Sequence, residues 1–404
     1  MRSMKIFVSG LVVVGLATGF AGAVSAQSIT AARGPGYPVL PTDGRSVTMG
    51  GLGIGLHGLT ATMVNPAAAA RMTRRGALVA LEVTERNVRI GDAEDELGTT
   101  RFPLIRVAFP MGGVVLTTGY GGFLDQNWGL VREGEQVLGD TTVAFSDRLI
   151  SDGGVGQFQF GLAVPVGERL DLGAAVGVHL GSQRVEYSRR FEVGTEGFVD
   201  PFQEIMSWRY SGPMAQVGAQ WAPADMVLVA ASLTWSGTLV GDSTAGRAGR
   251  RELDLPLQIA GGASGVLVPG LMATVSGRWS GWSVTDADAI GVPSPAGPAS
   301  SRDTWEVGGG LEWAPIRPAA TRIFPLRAGI QYRQLPFPFA EEAPTEWFAS
   351  VGGGMRVGPD PQNPLAAVDL AVQRGTRTAD GAGTFGDLTE RMWRFTVSVG
   401  LFGN

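Results

Sequence analysis

Cysteine is missing from all 404 residues. This chain therefore has no disulfide framework, zinc–thiolate site or cysteine nucleophile. Histidine is scarce: only His57 and His179 occur. No cluster of His, Asp or Glu has metal-ligand spacing, so no catalytic residue, metal or cofactor is expected and the chain does not read as an enzyme. The acidic run "GDAEDELG", Gly91 to Gly98, reads as a solvated turn, with a divalent-cation loop as the alternative. Charged residues make up 17%, against about 25% in an ordinary globular domain. A net charge of −5 leaves no basic surface for nucleic acid. Past the N-terminal leader no apolar run reaches the length of about eighteen residues that a membrane-crossing helix needs.

What is present is apolarity in small doses. Mean hydropathy is positive, and the 61 glycines far exceed the roughly 7% of average usage. Strands that each show half their residues to an apolar phase have this composition. Arg2 and Lys5, the stretch "IFVSGLVVVGLATGFAGA" and the small residues Val24-Ser25-Ala26 read as a secretory signal peptide over 1–26, with Ala21-Gly22-Ala23 as a second cleavage candidate. An N-terminal segment over 27–75 and a barrel over 76–404 follow.

Period-two alternation runs along that third part. "MVLVAASLTWSG" puts Val227, Val229, Ala231, Leu233 and Trp235 on one face, and "TWEVGGGLEW" does the same with Trp305, Val307, Leu311 and Trp313. A soluble β-sandwich would also bury one face. Three features point instead to a transmembrane antiparallel β-barrel. The segments are about ten residues or longer, against about five or six in soluble sheets. Tryptophans such as Trp221, Trp235, Trp279, Trp347 and Trp393 end the apolar faces, as interfacial girdles do. The opposite faces carry charges, among them Glu82, Arg106, Asp171, Asp254, Arg278, Glu306, Glu312, Arg327, Arg356, Asp369 and Arg394, which a lumen tolerates.

About fourteen strands are expected from Gly76 on, near 76–90, 100–110, 113–124, 154–165, 169–184, 206–221, 226–239, 251–267, 271–285, 303–314, 322–334, 345–357, 364–378 and 389–403. Connections after even-numbered strands are short ("PMGG", "APAD", "VPG"), and those after odd-numbered ones are mostly long, the asymmetry of outer-membrane barrels. The segment "MWRFTVSVGLF" should turn Trp393, Phe395, Val397, Val399 and Leu401 outward and pair with the first strand, because a sheet edge cannot be left unpaired in hydrocarbon.

The stretch "MGGLGIGLHGLTATMVNPAAAARM" contains Gly53-x-Gly55-x-x-Gly58. A dinucleotide loop would follow a strand, open a helix and have an acidic residue about twenty positions on. This run follows "ARGPGYPVLPTDG" and meets none of these conditions convincingly. The alternative is a compact plug inside the barrel, where Gly51, Gly53 and Gly55 permit tight turns and close approach to the wall. Asn65, Pro66 and Ala67 open a short helix there, with Asn65 as N-cap.

Ser46 to Met72, a glycine-rich start followed by Asn-Pro-Ala before the first of fourteen strands, resembles the N-terminal plug of the FadL-type outer-membrane transporters of long-chain fatty acids and other hydrophobic compounds. The resemblance implies capture of a hydrophobic molecule outside, entry into the barrel and sideways exit where the third strand is kinked. In that strand Gly119, Gly121 and Gly122 could form the bend. In "FEVGTEGFVDPFQEIM", Phe191, Phe198 and Phe202 would line a capture groove, or else pack over the barrel mouth. Two departures bear on the ligand: "GDSTAGRAGRRE" is polar and basic, and the plug lacks the acidic pair often seen in the family. Expected partners are outer-membrane lipid and a hydrophobic small molecule, with a periplasmic partner left open. A porin and a non-transporting barrel used in secretion or assembly are the alternatives.

Overall fold

The computed structural model describes residues 34–58, 62–91, 93–138, 141–192, 202–245, 249–285, 300–314, 322–338, 342–358, 364–380 and 387–403. The first segment of the sequence division, 1–26, and residues 27–33 and 59–61 of the second, 27–75, therefore lie outside the described residues.

Alternating side chains give an extended chain two unlike faces, and fourteen such strands form the wall. They are β1 Arg75–Ile90, β2 Ala93–Met111, β3 Val114–Asp125, β4 Thr141–Val166 and β5 Leu170–Glu192. Next come β6 Phe202–Ala224, β7 Val227–Ser236, β8 Gln258–Val268, β9 Leu271–Ser280 and β10 Thr304–Trp313. The last four are β11 Leu326–Gln334, β12 Thr345–Val357, β13 Ala366–Ala379 and β14 Leu388–Gly403. Each pairs antiparallel with the next, and β14 returns to β1 from Leu388↔Ile90 to Gly403↔Arg75. The ring of strands is closed, so neither its first nor its last strand is left as a free edge in the apolar phase. Each of the fourteen expected segments contains a strand of this wall, but the expected 251–267 and 271–285 run too long: Arg251–Leu253 is a separate short strand paired with Leu239–Gly241, and Trp282–Val284 is a 3-10 turn.

On β14 the expected parity holds. Glu390, Met392, Arg394, Thr396 and Ser398 are buried, while Trp393, Phe395, Val397 and Leu401 are exposed. Trp221 and Trp313 stand near the short turns; Trp235, Trp305 and Trp347 stand toward the other end, all on the outer face. From Trp305 to Trp313 the strand runs about 27 Å at roughly 3.4 Å per residue. Tilted by about 40°, it spans about 21 Å, close to the roughly 25 Å apolar band of such barrels.

The β2–β3 turn is Gly112-Gly113, both at positive φ (56° and 93°), as a tight two-residue hairpin requires. Two loop expectations need correction. The acidic run is no loop: β1 and β2 join through a two-residue turn at Gly91, and Glu94 stands opposite Arg89, an oppositely charged cross-strand pair that favours the strand. The connection over 125–153 is largely a hairpin, in which Trp128–Leu138 pairs with Thr141–Ser151. With β4 of 26 residues and β5 and β6 of 23 each, a tall sheet stands above the long-loop end of the barrel.

Candidate functional site

The described part of the N-terminal segment lies inside the wall and touches it all round. Asp43 caps the short helix Gly44–Thr48 by accepting from Ser46 N at 2.8 Å. The helix is held by Gly44 N donating to Ser398 Oγ (3.1 Å) and by the Arg45 guanidinium, whose Nε and Nη2 donate to Glu312 at 2.9 and 3.1 Å. Beyond it the backbone of Gly50 lies against Gly308 and Gly309 on β10, and Gly55 against Gly262 on β8. Across the lumen Asn65 Oδ1 accepts from Ala67 N (3.0 Å), capping a 3-10 turn over Pro66–Ala69, and its Nδ2 donates to Ala219 O at 3.2 Å. A side chain at Gly218 would strike Asn65 and one at Gly173 would strike Ala67. Glycines on the inner wall thus create the room that the segment fills.

Two charged layers fasten the filling. In the layer nearer the short turns, Glu312 accepts from Arg45 and from Arg327 (2.6 Å) and Arg356 (3.3 Å), and Arg327 reaches Asp369 at 2.6 Å. In the other layer, five arginines are ion-paired to five carboxylates: Arg101 to Glu82 and Asp125, Arg394 to Glu82, Arg278 to Glu306, Arg333 to Glu306 and Glu346, and Arg377 to Glu346 and Glu390. Tyr37 threads this layer: its hydroxyl donates to Glu346 Oε2 (3.1 Å) and accepts from Arg333 Nη1 (2.9 Å). The voids found in the lumen are small. Two hold about 20 Å³ each, beside Tyr37 and beside Pro38, and one holds about 30 Å³ beside Pro41, room for a water or two.

Among several bulges in the wall, the one beside β3 accompanies a break in pairing. β3 pairs with β2 from Met111↔Val114 only as far as Leu104↔Gly121. The next β2 residue, Pro103, has no N–H to continue the ladder. From there β3 turns inward. Val39 N donates to Phe123 O at 2.8 Å, and Tyr37 and Pro38 pair with Asp125 and Leu124. The β3–β4 register slips between Gly122 and Leu124, a bulge. Residues 93–101 of β2 are thus paired with β1 and, among the described residues, with no strand on the other side. The backbone ladder is interrupted there, a gap in pairing between β2 and the bent end of β3.

A family model described as BamG matches residues 8–239, more than half of the chain. The chain belongs to the BamG family. No curated protein matches the sequence. Among solved structures, a Pseudomonas aeruginosa FadL homologue superposes with a TM-score of 0.61 at 16% identity, over 91% of this chain and 99% of that one. The Ralstonia pickettii toluene transporter TbuX gives 0.57 at 16%, over 90% and 98%. The Pseudomonas putida toluene transporter TodX gives 0.56 at 15%, over 91% and 98%. At these identities the likeness is one of fold. The FadL resemblance read from the sequence therefore holds for the architecture, while the family is BamG.

Within this BamG-family barrel the glycine-rich run is a series of turns, with Gly51, Gly53 and Gly55 at φ of 88°, 69° and 73°. It opens no helix of the dinucleotide-binding kind. Gly119, Gly121 and Gly122 lie on the inner side of the β3 bend. A Cβ at Gly119 would come within 2.9 Å of Ile105 O, one at Gly121 would collide with Pro41, and one at Gly122 would stand 2.8 Å from Val39 Cγ1. Phe191 and Phe202 sit in strands, on the inward face of the tall sheet. Phe191 is opposite Phe145, and Phe202 is 5.8 Å from the Tyr187 ring; Phe198 lies outside the described residues. His179 is buried, with Nε2 3.0 Å from Ser236 Oγ and the Phe123 ring 4.3 Å away. Its Nδ1 has no hydrogen-bond partner among the described residues. Sequence reasoning missed Tyr37, Val39 and Pro103. The signal available for Pro103 was a proline inside a strand pattern.

Proposed function

We propose that this protein lets hydrophobic small molecules, long-chain fatty acids or compounds of similar character, cross the outer membrane and leave the barrel sideways through the gap beside β3. The observation that carries this reading is the loss of β2–β3 pairing beyond Gly121. The apolar outer face around that gap would receive an oily solute without exposing it to water. The family likeness of fold to a FadL homologue and to two toluene transporters supports the reading. Gly51, Gly53, Gly55, Asn65, Pro66 and Ala67 would then belong to a plug that loosens during passage, Gly119, Gly121 and Gly122 to the exit, and Phe191, Phe198 and Phe202 to capture at the outer mouth.

The test is uptake into liposomes carrying the purified barrel, with a long-chain fatty acid, toluene and a small sugar offered side by side and empty liposomes as the blank. Entry of a hydrophobic solute without sugar is expected. Sugar leakage would identify a porin instead. The filled lumen favours a second reading, a barrel that carries nothing and serves a secretion or assembly partner. Absence of uptake of any solute above the blank would select it.

A further inference from the structure

Arg86 stands on the inner face of β1 with 4% of its surface exposed. Its Nε and Nη2, the two donors on one edge of the guanidinium, have no hydrogen-bond partner among the described residues. Arg101 and Arg45 spend that same edge on Glu82 and Glu312, and Arg394, whose edge also makes no hydrogen bond, still has Glu82 at 3.2 Å. Arg86 has no carboxylate within ion-pair distance among the described residues. The groups that act on Arg86 are Arg377 and Arg101, which repel it, Glu390 and Glu82, which attract it, and Tyr37, whose ring centroid is 6.0 Å from its guanidinium carbon. Glu390 Oε2 already accepts from Arg377 Nη1 at 2.5 Å. The ion-paired layer balances five arginines against five carboxylates, and Arg86 is a sixth cation. A buried charge without a partner is strongly disfavoured.

The missing charge has a definable chemistry. One negative charge is needed, and a side-on guanidinium edge matches two oxygens held in one plane. Arg86 faces Leu97 on β2 and the fully buried Met392 on β14. One step outward lies an apolar cluster of Val88, Ile90, Leu97, Ala379 and Leu388. Apolar neighbours favour a monoanion with an alkyl part over a strongly hydrated dianion such as phosphate. We propose that Arg86 is a binding site for a monocarboxylate, held bidentately, either as a small free acid or as the head group of an alkyl acid. The site stands independently of whether the barrel transports.

The experiment is calorimetric titration of the full-length protein in uncharged detergent at constant ionic strength, with acetate, dodecanoate and, as the neutral control, dodecanol. Dodecanoate is expected to bind about ten-fold or more tightly than dodecanol, with Arg86→Gln abolishing the difference. Arg86→Lys, which keeps the charge but loses the fork, should weaken carboxylate binding by a similar factor and covers the case in which Arg86→Gln does not fold. Arg86-dependent binding of acetate would identify a small free acid as occupant, and of dodecanoate alone a head group; either supports the site. Equal binding of dodecanoate and dodecanol, or binding that is the same in Arg86→Lys as in the unaltered protein, would overturn it.

Discussion

Arg377 has no exposed surface, and its guanidinium joins Glu346 on β12 to Glu390 on β14. Such a bridge stabilises little over a well-packed apolar group, yet removing one member leaves the others buried and charged. Arg377→Met is therefore expected to destabilise the barrel by about 3–5 kcal/mol, seen as a lower urea midpoint in detergent. An unchanged midpoint would mean that water solvates these carboxylates. Asn65 acts at the same scale but less severely. Asn65→Ala removes a cap of about 1 kcal/mol while leaving every barrel strand intact. Uptake should change and the heat-modifiable gel shift should not. Uptake equal to that of the unaltered protein would exclude a gating role for Asn65. The cap was legible in the order Asn-Pro-Ala, because Asn before Pro at a helix start is a local preference. Its docking against Gly173 and Gly218 was not, since nothing local says which glycines of the wall will face it.

At the scale of the element, the bend of β3 has three causes: a proline on the neighbouring strand, a bulge, and an inner segment that takes over its hydrogen bonds. Pro103→Val restores a backbone N–H opposite Gly122. If the ladder then extends past Leu104, uptake of hydrophobic solutes should fall while the fold persists. Hydrogen exchange of the β2 amides over 93–103 reads the change directly, and slow exchange there in the unaltered protein would contradict a gap. Gly121→Val should act by the opposite route, since its side chain would collide with Pro41 and push the inner segment away from β3. Looser packing of that segment should show as faster proteolysis between residues 34 and 74. The three glycines in the sequence marked where a strand could bend. That the bend occurs is decided by Tyr37–Pro38, about eighty residues earlier in the chain, which take the place of β2 as partner.

For the whole molecule, the wall and its contents separate cleanly. The wall satisfies its own backbone except at the bent end of β3, which takes Tyr37–Val39 as partner, so a chain lacking residues 34–72 should still form a heat-modifiable barrel. Its lumen would be emptied of the segment that Glu312, Ser398 and Ala219 now hold. Planar-bilayer recordings should show ion conductance for this variant and near silence for the full chain. A silent variant would mean that the wall collapses or that the tall sheet covers the mouth. That sheet also explains why β4, β5 and β6 extend beyond the bounds expected from the sequence. An alternating pattern continues past the membrane because pairing is worth keeping in water as well, and only the outward apolar face has to end at the interface.

The sequence alone determined what repeats: strand number, the inward and outward faces, short turns at one end, and a chain without cysteine. Those features are local, because alternation and turn chemistry act between neighbours. Tertiary structure decided what depends on residues far apart meeting. It chose which carboxylate each lumen arginine takes, where β3 leaves β2 for the N-terminal segment, how that segment packs against the wall, and that Arg86 lies among those arginines without an ion pair of its own among the described residues. Ring closure sets these pairings, since the curvature of the wall brings opposite strands within reach of one inner segment, and no spacing along the chain encodes which side chains meet there.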